Sequence, residues 1–563
     1  MRGTLGSIAV LTYLSLVMAP VALALHRIIS VTGFTPRDWI RSLSENYISV
    51  GVLEFTLVQA ACSTILTSMI ALPVAWVLGR YRWPFEPWMR AVLTLPFVIP
   101  SIIAAMGVLT LVGVHGANIR ANEATWWWTL IASHAWFNMA LYIRFCEPLL
   151  STMDPRLEEQ LRLLPNGRSR LSRIRNLWAP LLMPSMAAAA CMTFVFSFTS
   201  FALVRWITIR DDTLESMMAE VSSSAGISGY METSSQIVMG ASMIQFTILL
   251  LCLWLTSAIQ RNRQARLRLS SPRRLDSPSW PAWLVLVPAM VFAISPLASV
   301  VVGSFRIRDP TTGNSAFRWG LDGWEAAING SFSFPPMSNA ISNSLGYALV
   351  ALLVALPLGY LLAATIHRLE RTKPLLSRVL DISTMLPFAL SAAMVGLGVL
   401  IGVIRLNPQS LYQFWPLPSL AHVMLTTPFV VRIILPALRS YDKRYEENAM
   451  VLGMGAYARF LKIKLPLMRG PLVVSSVFVI AMSLGEFGAS FIIARNSDWV
   501  TMPLLIDAWR AKPMKDPLSA PASNSIATVL MLITMGLFLL AERFRSDRPV
   551  SYTHLTLPTI LLV

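Results

Sequence analysis

Ionisable side chains that could do chemistry are rare in the apolar segments of this sequence. Glu486 stands alone in one long apolar segment, and His134 and His422 lie in two others. No Asp/Glu cluster accompanies either histidine, and the four cysteines form no Cys-x-x-Cys pair, so the pattern predicts no catalytic residue and no metal site. An unpaired buried carboxylate is expensive in a membrane. We therefore expect Glu486 either to serve function directly or to pair with a helix end or Arg495.

The composition is that of a multi-pass membrane protein. Of the 563 residues 55% are apolar and 13% charged, mean hydropathy is +0.59, and many windows of about 20 residues, the length that spans hydrocarbon, carry no charge. A large soluble protein with a very apolar core would not show such windows. We predict an all-α membrane protein with about twelve spans, near 6–26, 50–79, 91–115, 125–148, 177–204, 236–258, 281–304, 341–366, 379–404, 417–438, 467–494 and 524–542.

The chain contains an internal duplication at a shift of 288 residues. The matched pairs are His134/His422, Arg144/Arg432, Pro148/Pro436, Leu150/Leu438, Asp154/Asp442, Arg156/Arg444, Glu158/Glu446, Glu159/Glu447, Leu164/Leu452 and Gly167/Gly455. With small slips, Pro96, Pro180 and Phe201 fall on Pro387, Pro466 and Phe487. So many matches in one order indicate two repeats.

The most distinctive segment is a charged helix, a glycine and a basic run placed just before an apolar span. In the second repeat its candidate residues are Asp442, Arg444, Glu446, Glu447, Ala449, Leu452, Gly453, Gly455 and Pro466. Asp442 can cap a helix whose first turn holds the paired glutamates, and Gly453 can end that helix. An ordinary basic loop that only sets topology is the alternative, but the first repeat carries the same pattern at Asp154, Arg156, Glu158, Glu159, Leu164 and Gly167.

This pattern resembles the coupling loop of ATP-binding-cassette (ABC) importer permeases, the EAA–G–LP motif, which here reads Glu447-Asn448-Ala449, Gly453 and Leu465-Pro466. The first loop diverges more, since Pro165 replaces the motif glycine. The resemblance implies a type I importer permease fold with two parallel six-helix repeats. It also implies three partners: two ATPase subunits beneath the loops and an extracytoplasmic solute-binding protein. No cofactor would bind this chain, because ATP and magnesium belong to the ATPase; indeed the sequence contains no G-x-x-x-x-G-K-[ST] phosphate loop.

The resemblance and the distribution of basic residues together predict the domain limits and the membrane orientation. We predict a first lobe at 1–259 with coupling loop 151–176, a basic cytoplasmic linker at 260–280, and a second lobe at 281–550 with coupling loop 439–464. The tail 551–563 is predicted to be non-native. With a cytoplasmic N-terminus, 30 of the 46 Lys and Arg fall in inside segments and 14 in outside ones, the bias expected of an inner-membrane protein with both termini inside. This bias, and not nucleic-acid binding, accounts for the net charge of +17.

The segments SLGEFG at 483–488 and HAWFNM at 134–139 resemble fused permeases for ferric iron and thiamine. They imply uptake of a small solute, with ferric iron placed ahead of thiamine. Candidate pathway residues are Glu486, Phe487, Phe201, Pro96 and Pro387. An ion-coupled secondary transporter with parallel repeats is the alternative, although its spans would need more ionisable residues. A membrane-embedded enzyme would need clustered His, Asp or Glu, which the sequence lacks.

Overall fold

The computed structural model describes residues 2–44, 51–113, 123–152, 155–163, 169–208, 212–224, 231–261, 278–308, 317–331, 334–385, 387, 392–407, 409, 413–440, 444–494, 496–512 and 516–546. Within these ranges the chain is mostly helical, as the composition predicts. The linker between 262 and 277 and the tail 551–563 lie outside the described residues, so the predictions for them, like the predicted lobe limits, stay predictions.

The first half of the chain contains twelve helices in the described ranges. They are α1 (Arg2–Thr32), α2 (Pro36–Ser44), α3 (Val52–Arg80), α4 (Glu86–Val98), α5 (Ser101–Val112), α6 (Glu123–Thr152), α7 (Pro155–Leu163), α8 (Arg170–Arg173), α9 (Ala179–Phe198), α10 (Ala202–Ile207), α11 (Leu214–Ser224) and α12 (Met231–Arg261). A π-helical turn, Ile174–Trp178, joins α8 to α9.

The second half begins with α13 (Trp280–Phe305) and an antiparallel pair of short strands, β1 (Arg306–Arg308) and β2 (Phe317–Trp319). The helices that follow are α14 (Asp322–Asn329), α15 (Met337–Thr372), α16 (Pro374–Ser383), α17 (Ala392–Leu406), α18 (Leu417–Ser440), α19 (Arg444–Val451), α20 (Ala456–Arg459), α21 (Leu465–Leu467), α22 (Arg469–Gly485), α23 (Gly488–Ile493), α24 (Met502–Arg510) and α25 (Ser519–Ser546). A π-helical turn, Phe460–Lys464, joins α20 to α21, and a short 3₁₀ turn spans Ser497–Trp499.

Each of the twelve predicted spans overlaps at least one described helix. Seven helices in the described ranges are long and apolar enough to cross a bilayer, or nine if each bent pair counts as one span. The first bent pair, α4 and α5, turns by 100°. Pro100 causes this break, because a proline disfavours helical geometry in the preceding residue, and Ile99 is indeed extended. The full number of twelve stays a prediction.

The described chain folds into two compact units, each built from both halves of the sequence. Among the described residues, the first unit holds 31–337 and 503–531, and the second holds 1–30, 338–502 and 532–546. The opening helix of each repeat therefore packs against the other repeat. In the first unit the backbone of Pro296 in α13 lies against Gly107 of α5, and in the second unit Pro20 of α1 lies against Gly398 of α17. A Cβ at either glycine would meet backbone atoms at less than 3 Å.

The two repeats use the same hydrogen bonds at equivalent positions. In the first unit the Leu214 N–H donates to Thr56 Oγ1 at 3.1 Å. In the second unit the Met502 N–H donates to Ser344 Oγ at 2.8 Å. Donor and acceptor are both related by the shift of 288 residues that the sequence shows. The duplication is thus visible in side-chain contacts as well as in the order of motifs.

A charged network holds the second-half helix α24 onto the first repeat. The Arg205 guanidinium donates to both carboxylate oxygens of Asp507, at 2.8 and 3.2 Å, and Trp206 Nε1 donates to the same carboxylate at 3.0 Å. Arg205 also pairs with the more exposed Glu220 at 3.3 Å. Burial raises the pKa of the Asp507 carboxyl group, and the hydrogen bonds from Arg205 and Trp206 oppose that shift. We call these four residues the Arg205 network.

Breaking one partner of the Arg205 network is expected to destabilise the protein. Arg205→Ala or Asp507→Ala leaves a buried charge without its counter-charge, which costs about 3–5 kcal/mol. We expect each variant to lower the melting temperature in detergent, and the double variant to lose much less than the sum, because the two side chains act as a pair.

The exposed ion pair between Arg318 and Asp322, four residues apart on one surface, provides the matched control. Exposed pairs contribute at most about 1 kcal/mol, so the same double-mutant cycle there should give a coupling near zero. Equal coupling energies in the two cycles would contradict the assignment of the Arg205 network as the contact that fixes α24.

Candidate functional site

The charged segment of the second repeat is a short exposed helix. Arg444 begins α19, and Glu446 and Glu447 follow within its first turn. The side chains of Arg444 and Glu447 are exposed to solvent, whereas Ala449 is buried. The helix therefore turns a charged face outward and packs through a small residue. Asp442, the predicted cap, lies outside the described residues.

Gly453 ends this helix in a left-handed conformation, with φ of 76°. The Gly453 N–H donates to the carbonyl of Met450 and the Met454 N–H donates to the carbonyl of Ala449, both at 3.0 Å. This pair of bonds is the Schellman motif, which pairs the last carbonyl groups of a helix and favours glycine at this position. A Cβ at Gly453 would meet no atom within 4 Å, so backbone conformation, and not space, favours glycine here.

After the turn the chain runs back toward the membrane. Gly455 caps the start of α20, and Arg459 Nη1 donates to the carbonyl of Met454 at 3.1 Å, which ties the new helix to the turn. The π-helical turn Phe460–Lys464 then leads to the exposed Pro466 in α21. The first repeat has its own π-helical turn at Ile174–Trp178, 286 residues earlier. Both charged loops thus join their span in the same way.

Large apolar side chains are exposed at the tip of the second loop. Val451 is 87% exposed, Leu452 80% and Tyr457 77%. Exposed apolar groups rimmed by charges mark surfaces that bind a partner. The loop therefore offers a short two-helix element with an apolar tip and a charged rim. We call Val451, Leu452 and Tyr457 the loop-two tip.

The first loop shows the same arrangement in its described part. Arg156, Glu158 and Glu159 lie in α7, and Glu159 is exposed. Leu163 at the end of α7 and Leu171 in α8 are both strongly exposed. Asp154, Leu164 and Gly167 lie outside the described residues.

The two predicted pathway phenylalanines occupy breaks within helical spans. In the second repeat α22 ends at Gly485 and α23 begins at Gly488, with Glu486 and the buried Phe487 between them. In the first repeat α9 ends at Phe198 and α10 begins at Ala202, with the buried Phe201 before it. Pro96, on α4, and Pro387 are also buried. The structure thus groups Glu486 with Phe487, and groups neither with the charged loops.

Glu486 caps the half-helix that follows the second break. Its carboxylate accepts the Ala489 N–H at 2.8 Å, the Ser490 N–H at 3.0 Å and the Ser490 hydroxyl at 2.8 Å. His422 Nε2 lies 3.0 Å from Ser490 Oγ and 3.4 Å from the carboxylate, and His422 Nδ1 lies 2.6 Å from Ser483 Oγ. All of these polar groups have a hydrogen-bond partner if the Ser483 hydroxyl donates to His422 Nδ1 and the His422 Nε2–H donates to Ser490 Oγ.

Sequence reasoning named Glu486 but missed the Arg205 network. The shift of 288 residues pairs His134 with His422 and so marks His422 as a repeat position, although not as a neighbour of Glu486. Arg205 and Asp507 are 302 residues apart and have no common motif, so only the fold brings them together. In the described part of the chain, no three His, Cys, Asp or Glu side chains come close enough to hold a metal ion.

Comparison with known proteins identifies the family of this chain. Residues 71–269 and 355–546 each match the family described as binding-protein-dependent transport system inner membrane component. A probable ABC transporter permease protein of Sinorhizobium fredii is 22% identical over 97% of this chain and 96% of its own length. The thiamine transport system permease protein of Brucella abortus is 22% identical over 89% of both chains. A sulfate transport system permease protein of Escherichia coli is 29% identical over 36% of this chain and 72% of its own.

The two family matches cover more than half of the chain, and they coincide with the duplication and with apolar helices that suit a multi-pass inner-membrane protein. The chain therefore belongs to the binding-protein-dependent transport system inner membrane component family, as a fused two-lobe type I ABC importer permease.

Proposed function

We propose that this chain alone supplies the membrane pathway of an ABC importer. One ATPase subunit docks beneath each charged loop, a binding protein delivers solute to the outer face, and both chain termini lie in the cytoplasm. The chain itself binds no cofactor, since ATP and magnesium bind to the ATPase. Family membership leaves the alternative, an ion-coupled secondary transporter, without support.

The loop-two tip is the observation that carries this proposal. Val451, Leu452 and Tyr457 are exposed together on an element that the Gly453 turn and the Arg459 bond hold rigid. Apolar anchors of this kind fill a pocket on a partner and supply most of the binding energy, while surrounding charges exclude water and fix orientation. A rigid element also transmits a push, because it cannot absorb displacement by bending.

The transported solute is proposed from a relative and from two short segments of the sequence. A relative that aligns along 89% of the chain is named a thiamine permease, so we place thiamine first. Ferric iron, which the SLGEFG and HAWFNM segments suggest, is the second candidate. Uptake of labelled thiamine and of labelled ferric iron, measured in cells with and without the gene, distinguishes the two. Loss of neither uptake on deletion would contradict both assignments.

We further propose that Glu486 is a structural cap and that solute does not bind to it. Both of its oxygens already accept hydrogen bonds from α23, which leaves little capacity for a ligand. The positive end of the half-helix favours a carboxylate at this place. Phe487, Phe201, Pro96 and Pro387 remain candidates for lining the pathway.

Changes at the second loop should abolish transport without preventing membrane insertion. Leu452→Asp and Glu447→Arg are expected to reduce ATP-driven uptake at least tenfold, since loss of an interface anchor costs about 2 kcal/mol or more. Leu452→Met keeps the apolar contact and is the matched control. Glu159→Arg, in the more divergent loop, should have a milder effect. Uptake is measured in cells, with the amount of protein in the membrane determined on the same samples.

The turn at Gly453 permits a separate comparison within the same assay. Gly453→Asn should retain most uptake because asparagine tolerates positive φ, whereas Gly453→Val and Gly453→Pro should lose it. Wild-type uptake in Leu452→Asp or in Gly453→Pro would refute the role of this loop in coupling.

Replacing Glu486 should lower stability in proportion to the hydrogen bonds it loses. Glu486→Ala leaves two helix-terminal N–H groups unpaired, at about 1–3 kcal/mol for each buried group, and Glu486→Gln retains one acceptor and should lose less. Melting temperature in detergent gives the measurement, with the exposed Glu447→Gln as the control. An unchanged melting temperature with abolished uptake would instead place Glu486 in the transport pathway.

A further inference from the structure

Three helices of the first unit bring six polar side chains to one buried level. They are Gln59 and Ser63 on α3, His134 and Asn138 on α6, and Thr193 and Ser197 on α9. Within each pair the residues are four positions apart, so they lie on one face of their helix. All six are at most 1% exposed. We call them the six-residue polar cluster.

Hydrogen bonds tie the three helices together through this cluster. Gln59 Nε2 donates to the carbonyl of Ser197 at 2.8 Å and to that of Thr56 at 3.2 Å. Asn138 Nδ2 donates to Ser197 Oγ at 3.3 Å, and His134 Nδ1 lies 3.2 Å from Ser63 Oγ. The Gln59 and Asn138 amides therefore converge on one serine, and the His134 ring lies one turn before Asn138.

Four polar atoms of the cluster have no hydrogen-bond partner among the described residues: Gln59 Oε1, His134 Nε2, Asn138 Oδ1 and Thr193 Oγ1. The orientation of the Gln59 amide is fixed, because its nitrogen faces two carbonyl groups and its oxygen must point elsewhere. Buried polar atoms in native proteins are paired with protein or with ordered water. The three helices pack against one another, so four orphan atoms among them indicate a ligand between the helices.

The second repeat has no such orphans at the equivalent positions. Tyr347 replaces Gln59 and donates to the carbonyl of Trp499 at 3.3 Å. Thr426 replaces Asn138 and donates to the carbonyl of His422 at 2.7 Å. Val479 replaces Thr193, and His422 itself has a partner for each ring nitrogen. The site is thus a property of the first repeat alone.

We infer that the six-residue polar cluster is a binding site for ordered water inside the first repeat. Gln59 Oε1 and Asn138 Oδ1 accept hydrogen bonds, and Thr193 Oγ1 and His134 Nε2 complete the two to four partners that a buried water needs. The cluster contains no carboxylate, so a metal cation or an ammonium group would bring an uncompensated charge into the membrane interior. The ligand is therefore neutral and small. This inference does not depend on the cargo or on the ATPase.

Water-edited solid-state NMR of the full chain in lipid nanodiscs tests the site. The protein is labelled with ¹⁵N-histidine, and the His134 and His422 signals are assigned by their loss in His134→Leu and His422→Leu. Magnetisation should pass from water to the His134 ring and not to the His422 ring, which is equally buried but fully paired. Absence of transfer to His134, or equal transfer to both rings, would overturn the inference.

A variant that copies the second repeat gives an independent readout. Gln59→Tyr, Asn138→Thr and Thr193→Val together should abolish the water transfer to His134 and leave the melting temperature equal or higher, because three of the four orphan atoms are removed. Water transfer that persists in this variant would show that other residues hold the water and would overturn the assignment.

Exchange of the buffer cation distinguishes water from a bound ion. The His134 ring shifts should be the same in sodium chloride, ammonium chloride and N-methylglucamine chloride. A shift that depends on sodium or ammonium would show a cation in the site, and it would contradict the argument from the absence of a carboxylate.

Discussion

The rest of this structure depends on pairing every backbone polar group inside the protein, because hydrocarbon offers none. Continuous helices meet this requirement by themselves, but each repeat interrupts a span, at Thr199–Phe201 and at Glu486–Phe487. The second break is paired by a carboxylate, two serines and His422. The first lies beside the six-residue polar cluster. The side chains at the helix break therefore differ between the two repeats.

In the proposed coupling role, the second local constraint is the left-handed turn at Gly453. That turn pairs the last carbonyls of α19 and sends the chain back through a π-helical turn into the next span. Both loops join their spans through the same kind of π-helical turn, so in this proposal a displacement of either tip would be passed to the helix that contains the break. The repeats also exchange their opening helices, so neither lobe of the permease is built from its own residues alone.

Much of this was predictable from sequence, for identifiable reasons. Helix positions follow from apolar windows, and the glycine that ends α19 follows from its spacing after the paired glutamates, because both depend on neighbours along the chain. The Arg205–Asp507 pair and the exchange of Pro20 and Pro296 between repeats depend on contacts across hundreds of residues, and no local pattern encodes them. Glu486 is intermediate. The sequence shows a charged residue in an apolar segment, but it does not show the hydrogen-bond partners of that charge.

Binding of the ATPase by the charged loops can be tested by a pull-down. The chain is solubilised in detergent and captured with the ATPase subunit encoded beside it, as wild type and as the Glu447→Arg, Glu159→Arg double variant. The account predicts that the wild-type chain retains the ATPase and that the double variant releases it while remaining folded by its melting temperature. Equal retention by both chains would contradict the account.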